Sequence, residues 1–261
     1  MLLHVGQSAL RGDIGRYAER FNLLELRAER GKLPKLARLR QWRAQVPEEF
    51  VFSVVLPQRV SGLEAAADVA AELDHAIGVA DALRAAWLVV QTPASVTPTT
   101  RSRQRLQALV ERLPREVRRV AWEPRGIWQD EEAERTAELL GVRLVRDVSR
   151  SPAPPGRVVY ARMRGLGDAS RVRASAVERV AERLADCDEA CVVIEGEGAV
   201  RAAALLRQLV LDLEPEAELG HDTEQALDDT ADEDQDFDDA LDDGSMDDDE
   251  DADDEDDEED R

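Results

Sequence analysis

The 261-residue chain has two cysteines, three histidines and no long apolar run. Two cysteines, Cys187 and Cys191, do not build a disulfide framework and suit a cytosolic chain. The histidines His4, His75 and His221 form no His-x-His or His-Glu-x-x-His pattern, and the cysteines no paired Cys-x-x-Cys, so no metal site is expected. Apolar runs reach only about five to eight residues, far short of the ~20 that span a bilayer. The N-terminus, Met1-Leu2-Leu3-His4-Val5, reads as a strand and not as a signal peptide. No Gly-x-Gly-x-x-Gly follows the first strand, no phosphate loop occurs, and Gly-x-Ser-x-Gly is absent. A nucleotide-binding open sheet and a serine-nucleophile elbow therefore lack local support. Nothing in the sequence specifies a cofactor.

What is present divides in two. Residues 212–261 hold 29 of the 57 acids and one of the 34 bases, so the net charge of −23 is a property of this tail. Residues 1–211 carry a small basic excess. The tail has too few apolar residues to offset its self-repulsion and is expected to be disordered. Its sign excludes direct binding of nucleic acid. It suits a solubilising role, or the binding of cations, basic proteins or its own barrel, where Arg101-Ser102-Arg103-Gln104-Arg105 and 115–119 are basic patches.

The first 211 residues alternate between two patterns. Apolar, β-rich runs at 2–5, 23–26, 50–56, 86–91, 117–122, 142–147, 157–161 and 190–195 predict strands buried on both faces. Amphipathic patterns predict helices at 34–45, 61–83, 101–112, 130–140, 170–184 and 198–211, with a weaker one at 12–20. The helix from Ser61 opens on Ser61-Gly62-Leu63-Glu64, the spacing of a capping box; its apolar stripe runs through Leu63, Ala67, Ala70, Leu73, Ile77 and Ala80. The three prolines of 149–156 exclude a regular helix after strand six. Eight alternations predict an α/β fold of the TIM type, a (β/α)₈ barrel over 1–211; an open doubly wound sheet is the alternative.

In such a barrel the carboxyl ends of the strands carry the site. The sharpest strand end is Val120-Ala121-Trp122-Glu123-Pro124-Arg125. Side chains alternate along a strand. If Glu123 points inward, the inward set comprises Leu3, Val5 and Gln7; Glu25 and Arg27; Ser53 and Val55; Val89 and Gln91; Ala121 and Glu123; Val145 and Asp147; Tyr160, Arg162 and Arg164; Val193 and Glu195. His4 and Trp122 then face outward, and Trp42 and Trp87 read as packing. The mouth gathers four acids and three or four arginines, too many charges to bury unpaired. One reading is an ion-pair network that plugs the barrel. The other is a polar pocket in which Arg162 and Arg164 clamp an anion and Glu123, Glu195 or Glu25 transfers a proton. Trp128 is either a stacking platform or a lid that closes its loop onto the helices.

Several segments are similar to one known family. They are Tyr17-Ala18-Glu19-Arg20-Phe21-Asn22 with Leu24-Glu25-Leu26, Pro47-Glu48-Glu49-Phe50, Val90-Gln91-Thr92-Pro93, Glu123-Pro124-Arg125 with Trp128, and Tyr160-Ala161-Arg162-Met163-Arg164-Gly165. Together they resemble the domain of unknown function 72 (YecE-like) family across most of 1–211. The resemblance implies a TIM-type barrel and no assigned reaction. Departures are concentrated at strand ends. The family's opening Gly-Thr-Ser-Gly-Trp-x-Tyr is replaced from Gly6 onward, its Glu-Ile-Asn becomes Glu25-Leu26-Arg27, and Val55 replaces a lysine. Two histidine positions are Gly126 and Arg164, and its closing Phe-Asn-Asn aligns with Ile194-Glu195-Gly196. Glu25, Gln91, Glu123, Arg125, Asp147 and Arg162 remain. Two functions are thus expected: an enzyme on an anionic or sugar-like metabolite, or a catalytically silent barrel that binds a ligand or partner under the control of its tail.

Overall fold

A computed structural model describes residues 1–66, 68–115, 118–165 and 172–213. The expectations for the tail beyond Leu213, for His221, and for the segments at Ala67, Val117 and Ser170 lie outside the described residues. Strands β1 (Leu2–Gln7), β2 (Leu23–Arg27), β3 (Val51–Val55), β4 (Trp87–Thr92), β5 (Arg119–Pro124), β6 (Arg143–Leu144), β7 (Arg146–Asp147), β8 (Val158–Arg164) and β9 (Glu189–Glu195) form one parallel sheet. Its order is β6-β5-β4-β3-β2-β1-β9-β8-β7. The two ends of that order are consecutive in the chain. β6 pairs with β5 and β7 pairs with β8, with Val145 between them donating its amide to the Trp122 carbonyl. The two short pieces are therefore one interrupted sixth strand that closes a TIM-type barrel.

Helices α1 (Ile14–Ala18), α2 (Leu36–Ala44), α3 (Gln58–Ser61), α4 (Val69–Leu83), α5 (Thr100–Glu111), α6 (Asp130–Leu140), α7 (Ala174–Leu184) and α8 (Ala199–Leu213) fill the connections. As expected from its prolines, 149–156 contains no helix. Among the described residues no helix is long and apolar enough to cross a membrane. Outward-facing strand residues such as Phe52, Val54, Leu88, Val90 and Trp122 form one core with the helices. Leu23, Val55, Trp87, Val89, Ala121, Val145, Tyr160, Cys191 and Val193 form a second core inside the barrel. Trp87 is its floor, edge-on to Tyr160 at 5.2 Å, and Trp42 packs against the helix layer.

Two expectations need correction. The capping box at Ser61 does not start a helix. Ser61 ends the short α3, its hydroxyl donates to the Leu56 carbonyl at 3.4 Å, and Leu63 has a positive φ of 58°. Glu64 is drawn instead to Arg59, whose guanidinium also binds Asp68 and Glu72, and α4 starts at Val69. The glutamate of the capping spacing thus pairs with Arg59, and the helix starts beyond it.

The parity of strand one is also reversed. His4 pairs in register with Cys191, and Gly6 with both Leu23 and Val193. Those partners line the barrel interior, so His4 and Gly6 face inward, whereas Val5 is fully buried in the outer core and Leu3 packs on it. Gly6 permits this arrangement, because a Cβ there would come within 1.7 Å of the Leu23 carbonyl oxygen. Glycine inside a strand marks such close approach, a signal the parity argument passed over.

Candidate functional site

Inward parity holds on the other strands and delivers their terminal polar side chains to one place. Arg162 of β8 is the centre, only 1% exposed. Its Nη1 and Nη2 donate to Glu25 Oε1 and Oε2 at 2.9 and 3.0 Å. Its Nε donates to Glu123, and Nη1 also reaches Glu195 at 2.9 Å. Three carboxylates from β2, β5 and β9 thus surround one guanidinium, which has five N–H donors to share among them. A buried charge of this kind persists only when paired and hydrogen-bonded.

A second tier extends the network. Arg164 donates to Glu123 Oε1 at 2.6 Å and to Glu195 Oε2 at 3.0 Å. Gln91 donates its amide to Glu123 Oε2 at 2.8 Å and accepts from Arg27 at 2.5 Å. Below them the Tyr160 hydroxyl donates to Glu25 Oε2 at 2.6 Å and shares a 2.8 Å hydrogen bond with Ser53.

This packing decides the proton chemistry. Burial alone would raise the Glu123 pKa, but Arg162, Arg164 and the Gln91 hydrogen bond outweigh it and hold the group down at about 2. A carboxylate that acidic is always charged near neutrality and is a weak base. Burial disfavours the Arg162 cation, yet Glu25 and Glu123 keep it charged far above its usual range. Burial and the neighbouring Glu25 carboxylate push the Tyr160 phenol well up, so it stays protonated. The centre is electrostatically satisfied, and Arg162 has its donors directed at carboxylates of its own chain.

Beside this centre lies a cavity of about 190 Å³ between β5, β6, β7 and the loop after β7. Glu123, Arg125, Trp128, Asp147 and Arg164 all contribute to its wall, with Arg146 and Ser151 in addition. Arg125 makes one long contact, 3.6 Å to Glu123, and its side chain is 49% exposed. Asp147 Oδ1 accepts from the Ser149 amide and hydroxyl at 3.1 and 2.6 Å. Its buried Oδ2 has no hydrogen-bond partner, since the Arg150 Nε stands 3.6 Å away. Trp128 donates to the Val96 carbonyl at 2.8 Å and stands edge-on to Trp122 at 4.9 Å, so its ring pins the loop to the helix layer.

The expected site residues thus separate into three groups. Glu25, Glu195 and Arg162 belong to the buried centre, with Gln91 and Arg27 attached through Glu123. Arg125, Trp128, Asp147 and Arg164 meet at the side cavity, and Glu123 touches both. Gln7 belongs to neither: it pairs in register with the outward-facing Leu24, and it lines a separate groove with α1 and α8. Tyr160 and Ser53 had the right parity and complete the centre, whereas no pattern in the proline-rich loop singles out Ser151.

Comparison with known proteins agrees with this architecture. The family model described as "Protein of unknown function DUF72" matches residues 6–228. A DUF72 family protein from Enterococcus faecalis is similar in structure, with 16% identity, a TM-score of 0.65, and coverage of 87% of this chain and 100% of the other. One from Thermotoga maritima shows 18% identity and a TM-score of 0.59, covering 80% of this chain and 99% of its own. A D-tagatose 3-epimerase-like protein shares the barrel at 15% identity and a TM-score of 0.56, with 80% and 98% covered. Comparison with curated proteins gives no match. With more than four-fifths of its length matched by the family model, a barrel of the same architecture and a mouth built on the expected strand ends, the chain belongs to the DUF72 family of proteins of unknown function.

Proposed function

We propose that this barrel is a binding module for a small hydroxylated anion, seated in the side cavity, and that its buried centre is a rigid support and not acid–base machinery. The observation that carries this reading is a contrast in free valence. Arg162 and Glu123 are committed to each other and to their neighbours, whereas Arg125, half exposed in the cavity wall, has only one long contact among the described residues. Asp147 lines the same cavity, and a carboxylate there can accept from a ligand hydroxyl. An anionic group on the same ligand would lie against Arg125 and the outer side of Arg164, where Arg's planar fork favours phosphate or carboxylate. The cavity corresponds to roughly six water volumes, which suits a compound of a few carbons.

Glycerol 3-phosphate is a suitable probe, followed by titration calorimetry on the full chain. Saturable binding should weaken at least tenfold in Arg125→Ala and in Asp147→Asn. Equal affinity in both variants would overturn the reading. So would turnover of a small anion that disappears in Glu123→Gln, which would restore the enzymatic alternative.

A further inference from the structure

On the other side of the mouth, a groove of about 1040 Å³ runs between α1, α7 and α8. Arg11, Arg16, Arg20 and Arg201 line it. All four are exposed, and none has a side-chain hydrogen bond or ion pair among the described residues. Other exposed arginines, such as Arg40, Arg84, Arg101 and Arg112, are also unpaired among the described residues, whereas Arg59, Arg103 and Arg157 are engaged with carboxylates; what distinguishes these four is that they line one groove. Two acids share the groove. Asp13 is turned onto the Gly15 and Arg16 amides as the cap of α1, which leaves Glu197 as the other negative group. The first turn of α8 opens into the same space, and its leading amides have no partner within the helix. Those amides add to a site that the arginines define.

We infer that this groove is an oligophosphate-binding site, separate from the side cavity. Four unpaired guanidinium groups around one concavity repel each other unless an anion is shared among them, and arginine forks match phosphate oxygens in pairs. The volume is several times that of the side cavity, so it accommodates consecutive phosphates. The aromatic residues on the wall, Tyr17 and Phe21, are both buried, with the Tyr17 hydroxyl donating to the Leu23 carbonyl. No exposed ring is offered for a base to stack on, which favours a phosphate-only ligand over single-stranded nucleic acid.

The test uses the full chain and inorganic triphosphate, titrated at low ionic strength and again at about 0.5 M salt, where screening shortens to a few ångströms. The native chain should bind, and the added salt should weaken binding by tenfold or more. Arg16→Ala combined with Arg201→Ala should weaken it at least tenfold while the urea midpoint stays unchanged, because neither side chain has a partner among the described residues. Arg125→Ala should leave triphosphate binding intact, which separates this site from the side cavity. Absence of binding at low salt, or equal affinity in the double variant, would overturn the inference. An oligothymidylate that binds far more tightly than triphosphate through the same arginines would overturn the phosphate-only ligand in favour of nucleic acid.

Discussion

Arg162 and Glu25, 137 residues apart in sequence, meet in two parallel hydrogen bonds of 2.9 and 3.0 Å inside the barrel. The strands that carry them, β8 and β2, are separated by β9 and β1. The pair therefore ties together strands that share no backbone ladder. Removing one partner of a buried pair leaves the other charge uncompensated, at a cost of about 3–5 kcal/mol. Arg162→Met should lose stability of this order in urea unfolding, because it strands Glu25, Glu123 and Glu195 together. Combining it with Glu25→Gln should restore part of the loss. A double variant as unstable as the sum of the two singles would show that the pair is not coupled.

Acid should weaken the fold through Glu123. Its folded pKa of about 2 lies below the ordinary glutamate value of 4.5. The stabilisation is therefore complete above about pH 4.5 and is lost as pH falls through 2. A shift of this size corresponds to about 3 kcal/mol. The stability difference between the native chain and Glu123→Gln, measured by urea unfolding, should shrink steadily between pH 5 and pH 2. A constant difference across that range would show that Glu123 is not held ionised by its arginines.

Tyr160→Phe keeps the ring that packs on Trp87 and removes only the hydroxyl. Ser53, fully buried, then loses its partner, and Glu25 loses one of its donors. The expected cost is about 1–3 kcal/mol. Adding Ser53→Ala to Tyr160→Phe should cost little more. If Ser53→Ala alone destabilises as much as Tyr160→Phe and the two add fully, the shared hydrogen bond is not the cause.

Gly6→Ala tests the reversed parity of strand one. The added methyl would meet backbone, the Leu23 carbonyl, and not a movable side-chain tip. Overpacking against backbone should cost about 3 kcal/mol or more, seen as a lowered Tm. Val5→Ala should also destabilise, through a cavity in the outer core. A neutral Gly6→Ala would contradict the observed strand geometry.

The fold was legible because strands buried on both faces read as continuous apolar runs, and eight of them alternate with helical patterns. Parity then located the charged centre from Glu123 alone, and it held for Glu25, Gln91, Arg162 and Glu195. It failed at Gln7, because the two faces of Leu2–Gln7 each carry one polar residue, Gln7 or His4, and the pattern alone does not fix which is inward; only Gly6 carried the information. The capping signal at Ser61 was real but local, and Arg59 lies outside its window. What the charges do to each other could not be read at all. The same acids and arginines compose an open pocket or a closed plug, and the difference rests on side-chain geometry of a few ångströms. The side cavity arises where the proline-rich loop passes over an interrupted strand, which is a tertiary coincidence without a motif.

The interruption at Val145 has a mechanical meaning. A closed barrel shares its load around the ring, but this ring is fastened at one point by two residues of β6 on one side and two of β7 on the other. Amide exchange should therefore be fastest at Arg143–Asp147 among the strand residues. Arg146 and Asp147 also line the side cavity, together with Glu123 and Arg125 of the neighbouring β5 edge and Arg164 of β8. A ligand there would act as a clasp across the seam, slowing exchange on both flanks and converting occupancy into stiffness of the whole ring.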